Sequence, residues 1–130
     1  MILLDTCVLL WFLHDDPVLS DKMMIQIEES ENAYLSIASL WEIAIKKAIK
    51  KLNIPESVKE LEKKCDEKNI MILPIKTDYL ERLQMLPMIH NDPFDRLIMA
   101  TAIEENLILL TDDRNIQKYQ EVRQLGDYTR

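Results

Sequence analysis

Leu107-Ile108-Leu109-Leu110-Thr111-Asp112-Asp113 runs through four consecutive large aliphatic side chains and stops at a pair of acids. A strand with one wet face turns polar at every second position. This one does not, so it reads as a strand covered on both faces, as in a parallel sheet flanked by helices. Working outward, shorter apolar runs at Ile2–Leu4, Tyr34–Ser36 and Ile70–Leu73 also read as strands, with a weaker fifth at Val122–Gln124. Helical patterns fill the gaps: Thr6–Leu13, Ser20–Glu29, Leu40–Lys50, Glu56–Asn69, Thr77–Met85 and Pro93–Glu105. Ser20 is placed to N-cap the second helix, and Pro55 to open the fourth. Strand–helix alternation with such short connections predicts an α/β/α sandwich. Its central, mainly parallel sheet would have four to five strands, with helices on both faces.

The 130 residues are expected to form one domain, large enough to bury a core. Composition is that of an ordinary globular chain, 48% apolar and 30% charged. No run approaches the roughly 20 apolar residues of a membrane span, and Asp5 interrupts the opening too early for a signal peptide. Cys7 and Cys65 lie far apart with no Cys-x-x-Cys spacing, so both are expected as buried small hydrophobes in a reducing cytoplasm. The net charge of −7 argues against a protein that simply coats nucleic acid. It leaves room for an enzyme that meets nucleic acid through bound cations. Gly126 is the one glycine, which excludes phosphate-cradling glycine-rich loops, and no Gly-x-Ser-x-Gly elbow is present.

In an open parallel sheet, ligands bind beyond the carboxyl ends of the strands. Asp5 follows the first strand, Glu42 sits early in the helix after the second, Asp92 and Asp95 open the helix before the fourth, and Asp112 and Asp113 close that strand. Each acid also has a purely structural reading. Asp5 and Asp92 can cap helices, Ser39 and Glu42 fit a capping box, and Asp112-Asp113 fits a turn. Together they form a set whose mutual repulsion calls for a cation. No histidine cluster accompanies them in sequence, and His14 and His90 stand too isolated to be assigned as ligands. An oxygen-only set favours Mg²⁺ or Mn²⁺ over zinc.

The motifs resemble those of the PIN-domain family, in the form found among VapC-like toxins of toxin–antitoxin pairs. Leu3-Leu4-Asp5-Thr6 with Leu9-Leu10-Trp11 is similar to the family's opening strand and helix. Ser36-Ile37-Ala38-Ser39-Leu40-Trp41-Glu42-Ile43-Ala44-Ile45-Lys46 resembles its second acidic motif, and His90-Asn91-Asp92-Pro93-Phe94-Asp95-Arg96-Leu97-Ile98-Met99-Ala100 its third. Leu110-Thr111-Asp112-Asp113 resembles the fourth. The resemblance spans essentially the whole chain.

It implies a PIN-like fold and a metal-dependent endoribonuclease with catalytic and metal-binding acids at Asp5, Glu42, Asp95 and Asp113. Thr6 and Thr111 would support the site, Asp92 would be an accessory, and Asp112 is left to the turn. The cofactor implied is Mg²⁺ or Mn²⁺, the substrate RNA, and the partners a VapB-like antitoxin and a second copy of the chain. Lys46, Arg96 and Arg114 are candidates for RNA contact, as are Lys47, Lys50 and Lys51. Against this, Lys46 at i+4 from Glu42 also fits a simple ion pair. Trp11, Trp41 and Phe94 sit in apolar patterns and are expected in the core. Two alternatives stay open: a degenerate PIN domain that binds RNA or protein without cutting, and an aspartyl phosphatase. The second normally needs an acid two residues after the first aspartate, where this chain has Cys7.

Overall fold

A computed structural model describes residues 1–125. The elements follow in the order β1 (Ile2–Leu4), α1 (Thr6–Leu13), α2 (Asp21–Glu29), β2 (Ala33–Ser36), α3 (Ile37–Ala48), α4 (Val58–Glu67) and β3 (Ile70–Leu73). Then come α5 (Thr77–Met85), α6 (Pro93–Glu104), β4 (Ile108–Leu110), α7 (Arg114–Gln117) and β5 (Gln124–Leu125). The strands form one parallel sheet in the order β3-β2-β1-β4-β5. After β1 the chain steps outward to β2 and β3, then returns to place β4 on the other side of β1. The topological switch therefore lies at β1, where ligands gather in open sheets.

Side chains on a strand alternate between faces, and that alternation divides the core in two. Ile2 and Leu4 of β1 join Leu35 and Leu110 under α1, α2 and α4, where Val8, Leu9, Met23, Leu61 and Cys65 are buried. Leu3 points the other way, with Leu109, into Tyr79, Leu97, Ile98 and Ile116 of α5, α6 and α7. The α/β/α sandwich expected from the sequence is the architecture found. No helix among the described residues is long and apolar enough to cross a membrane.

Several boundaries differ from the sequence reading, each for a local reason. Helix α3 begins at Ile37 because the Ser36 hydroxyl accepts the Ala38 N–H at 3.0 Å. Ser39 and Glu42 are thus inside the helix, and their capping box does not form. Helix α4 starts at Val58, after Pro55, under a capping box in which Ser57 and Glu60 exchange hydrogen bonds of 3.1 and 3.2 Å. The fifth strand is Gln124–Leu125 rather than Val122–Gln124, with Val122 buried just before it. Trp41, expected in the core, is 56% exposed and meets Phe94 edge-on at 5.0 Å between ring centroids. Cys7 is exposed; Cys65 is buried as expected. Left-handed positions at helix ends fall to Asp15, Lys50, Asn69 and Asn106. Asparagine and aspartate tolerate positive φ better than most side chains, which lets a glycine-poor chain turn tightly.

One buried carboxylate ties the helices on the first face together. Glu56, 3% exposed, takes His14 Nε2 at 2.9 Å and Lys64 Nζ at 2.8 Å, while Lys47 Nζ donates to its backbone carbonyl at 2.7 Å. Burial alone would raise the Glu56 pKa. The Lys64, backbone and His14 hydrogen bonds outweigh it and pull the group down to about 2 from the ordinary 4.5. A lowered folded pKa contributes stability in full above pH 4.5 and loses it as pH falls through about 2. Glu56→Gln should therefore cost about 2 kcal/mol at neutral pH. Urea denaturation from pH 7 down to pH 2 should show that difference shrinking toward zero; a constant gap would mean packing, not charge, carries it.

Candidate active site

The carboxyl ends of β1 and β4 lie side by side, in register at Leu4 and Leu110, and the Asp5 N–H donates to the Leu110 carbonyl at 3.1 Å. That pairing fixes where the acids following each strand must sit. Asp5 is 7% exposed and caps α1, its Oδ1 accepting the Val8 N–H at 2.8 Å; the Thr111 hydroxyl bonds its carboxylate as well. Thr111 also takes the Asp113 N–H at 3.1 Å, linking the two acids through one buried hydroxyl.

Glu42 reaches the cleft from the first turns of α3. It is 6% exposed, with Oε1 taking the Thr6 hydroxyl at 2.7 Å and Oε2 taking Lys46 Nζ at 2.9 Å. Ser39 Oγ lies 3.0 Å from the same Thr6 oxygen. Asp92 caps α6, its Oδ1 accepting the amides of Phe94 and Asp95 at 2.9 and 3.0 Å. Asp95, one half-turn inside, faces the cleft with Oδ2 2.7 Å from His90 Nε2. Asp113 caps the short α7 through Oδ1 and turns Oδ2 toward the same imidazole at 3.4 Å.

A cleft of about 290 Å³ is lined by Asp5, Thr6, Glu42, Lys46, Asp92, Asp95, Asp112 and Asp113, with Cys7 and Trp11 at its side. All four acids singled out from the sequence share it, and so does Asp112, which the sequence reading left to the turn. A larger hollow, about 1140 Å³, lies beyond the amino ends of β2 and β3, bordered by Ala33 and Ile70. That is the end of a parallel sheet where ligands do not gather.

Two residues depart from expectation, Arg96 and His90. Arg96 is 6% exposed and cannot touch RNA; its guanidinium donates to the carbonyls of Leu83, Leu86 and Pro87 at 2.9, 3.2 and 3.0 Å. Lys46, half-exposed, is held by Glu42, as its i+4 spacing suggested. His90, set aside as isolated, stands among the acids. Among the described residues, His90, Asp95 and Asp113 are the group whose possible ligand atoms all fall within 4.8 Å of one another. Its position could be found from sequence only by seeing that five residues before Asp95 the chain turns back over the helix start. Arg114 lies exposed on α7.

The electrostatics follow from the packing. Burial pushes Asp5 up from the ordinary 3.8 to about 6, the charges of Asp113 and Glu42 adding to it and the Thr111 and Val8 bonds opposing. Asp95 is raised too, by burial first, with His90 opposing and Asp92, Asp113 and Asp5 adding. Among the described residues lining the cleft, Lys46 is the one lysine or arginine against Asp5, Glu42, Asp92, Asp95, Asp112 and Asp113. Carboxylates held this way suit a divalent cation of the Mg²⁺ class, which takes oxygen ligands and returns the groups to their ionised form.

A PIN-domain family model matches residues 2–122. This chain belongs to the PIN-domain family. No curated protein matches it in sequence. Among solved structures, this PIN domain is similar to a chain of VapBC2 from Rickettsia felis bound to a promoter DNA fragment. That match has a TM-score of 0.70 and 16% identity, and covers 97% of this chain and 98% of the other. It is equally similar to a chain of DNA-bound VapBC from Salmonella typhimurium, with a TM-score of 0.71, 16% identity and the same coverage. FitAcB from Neisseria gonorrhoeae gives a TM-score of 0.67 at 19% identity over 96% of each chain. At these identities the likeness is one of fold.

The raised Asp5 pKa yields a stability test. An acid whose folded pKa is raised contributes stability below its unfolded value and loses it as pH rises through the folded one, here about 6. The rise from 3.8 to about 6 corresponds to roughly 3 kcal/mol. In EDTA, Asp5→Asn keeps the cap and removes the charge, so it should be the more stable protein at pH 8. Its advantage should fade toward pH 4, as the wild-type carboxyl takes up its proton. Thermal melts across that range check it; identical curves at pH 8 would make Asp5 a cap and nothing more.

Proposed function

We propose that this PIN domain is a divalent-metal-dependent endoribonuclease, hydrolysing RNA phosphodiester bonds as the toxin of a VapBC-type pair in the cytoplasm. PIN domains are typically nucleases. The observation that carries the reading is the meeting of Asp5, Glu42, Asp95 and Asp113, from four separate segments, in one cation-poor cleft. Those four would hold Mg²⁺ or Mn²⁺, with Asp92 an accessory. Such an ion would supply a lowered pKa for an attacking water and a counter-charge for the phosphate.

The chain's own groups do the positioning. Val8 N–H and the Thr111 hydroxyl orient Asp5, while Thr6 and Lys46 orient Glu42 from opposite oxygens. Lys46, half-exposed beside the acids, can meet a phosphate without leaving its helix, and exposed Arg114, next to Asp113 in sequence, is a further candidate. The low exposure of Asp5 and Glu42 limits competing water and strengthens every charge interaction within the site.

Asp5→Ala, Glu42→Ala and Asp95→Ala should each lower RNA cleavage at least a hundredfold without unfolding the chain. The double variants should be little worse, because ligands of one site fail together. Asp113→Ala should be milder. Cleavage of a structured RNA in Mn²⁺ and in EDTA, beside p-nitrophenyl phosphate, reads all of this. Near-wild-type RNA cleavage by Asp5→Ala sinks the assignment. Phosphatase activity alone would favour the aspartyl phosphatase alternative, and RNA binding without cutting the degenerate one.

Partners follow from the same reading. Trp41, Ile45 and Ile49, spaced four apart along α3 and its cap, are 56%, 38% and 55% exposed, an apolar stripe that supports a protein partner. The VapBC structures of similar fold, and a toxin–antitoxin complex from Klebsiella pneumoniae at 21% identity, point to a VapB-like antitoxin. An antitoxin arginine or lysine would complement the acids. The chain should form a homodimer by light scattering and arrest growth when expressed alone. A monomer whose expression is harmless would remove the toxin reading while leaving the nuclease one to its own test.

A further inference from the structure

His90 is held in place more firmly than a surface loop residue needs to be. The segment between α5 and α6 wraps around two buried side chains, Arg96 at 6% exposure and Tyr119 at 1%. The Tyr119 hydroxyl donates to the Pro87 carbonyl at 2.7 Å and accepts the amides of His90 at 2.8 Å and Ile89 at 3.1 Å. Arg96 Nη1 donates to the carbonyls of Pro87 and His90 at 3.0 and 3.3 Å, and Nη2 to those of Leu83 and Leu86 at 2.9 and 3.2 Å. Both backbone polar groups of His90 are therefore taken by buried side chains. What remains free to act is the imidazole, which this clasp aims at Asp95 and Asp113, 2.7 and 3.4 Å away.

The four acids do not share the cleft equally. Glu42 already has a cation at one oxygen, Lys46, and a hydroxyl at the other, Thr6. Asp95 and Asp113, on the other side, face the His90 imidazole. A nitrogen among oxygens changes which ion fits. Mg²⁺ is satisfied by carboxylates and water, whereas imidazole suits first-row transition ions. Tyr119 and Arg96 fix the backbone from which the ring projects, and its Nε2 is turned to Asp95 and Asp113.

We infer that His90 completes the metal set as a nitrogen ligand beside Asp95 and Asp113, so that the site prefers a first-row transition dication such as Mn²⁺ to Mg²⁺. Arg96 and Tyr119 are positioning residues for it. This rests on the metal-dependent reading of the acid cleft and deepens it, by giving the choice of ion to a residue other than the four acids.

The test needs no RNA. The chain has two histidines, and His14 is occupied by Glu56 at 2.9 Å, so a histidine label reports chiefly on His90. Pulsed electron paramagnetic resonance of Mn²⁺ bound to protein labelled with nitrogen-15 at histidine should show a directly coordinated nitrogen. Calorimetry should show Mn²⁺ binding at least tenfold more tightly than Mg²⁺. His90→Gln should abolish the coupling and bring the two affinities within about threefold of each other. Tyr119→Phe should reduce the same ratio by a smaller factor; an unchanged ratio there overturns the role given to the clasp. Bound Mn²⁺ without histidine coupling overturns the inference and leaves the nuclease reading intact. Intact coupling in a protein that cuts no RNA does the reverse.

Discussion

The arrangement depends on one pairing, β1 beside β4 with Leu4 opposite Leu110. Because both strands run the same way, the residues after each emerge at the same edge, and Asp5, Thr111 and Asp113 meet there. The Asp5 N–H to Leu110 carbonyl bond is the last rung of that ladder. A slip of one residue would turn Leu3 and Leu109 out of one core and Leu4 and Leu110 out of the other, since side chains alternate with period two. Both faces are covered, so the register is set by burial on each, and the acid geometry follows from it.

Much of this was legible in the sequence. The unbroken apolar run Leu107–Leu110 read as a strand covered on both faces, and topology alone then brought the acids to one edge of the sheet. What was not legible has a common physical cause. Helix starts depend on which of several hydroxyls takes the first free amides, and Ser36 and Ser39 look alike until the strand's end is known. Burial of a charged group depends on contacts far along the chain. Arg96 reads as a surface cation because Tyr119, which shares its loop, lies 23 positions away. Trp41 reads as core because its apolar pattern matches buried helices, yet the face it occupies is left uncovered.

Arg96 and Glu56 show two answers to the cost of burying charge. Glu56 finds opposite charges at His14 and Lys64. Arg96 finds backbone carbonyls and the Tyr119 hydroxyl, groups that satisfy its donors without neutralising it. The second solution uses a guanidinium's planar fork to gather several carbonyls of one loop, which an ammonium could not do. It spends a buried cation on the shape of a loop within reach of the acids.

The structural and functional readings of the acids turn out not to compete. Asp5, Asp92 and Asp113 are all N-caps, of α1, α6 and α7, and all line the cleft. Two of those helices, α1 and α6, have at least two turns, so the positive ends of their dipoles point where the carboxylates gather. A helix N-terminus favours a nearby anion by about 0.3–1 kcal/mol. Burial and repulsion hold Asp5 at about 6 against 3.8, a cost of roughly 3 kcal/mol. Caps and dipoles therefore offset part of the burial cost and of the smaller repulsion from Asp113 and Glu42, without cancelling them. Asp95 is raised for the same reasons, burial first and the neighbouring carboxylates after it.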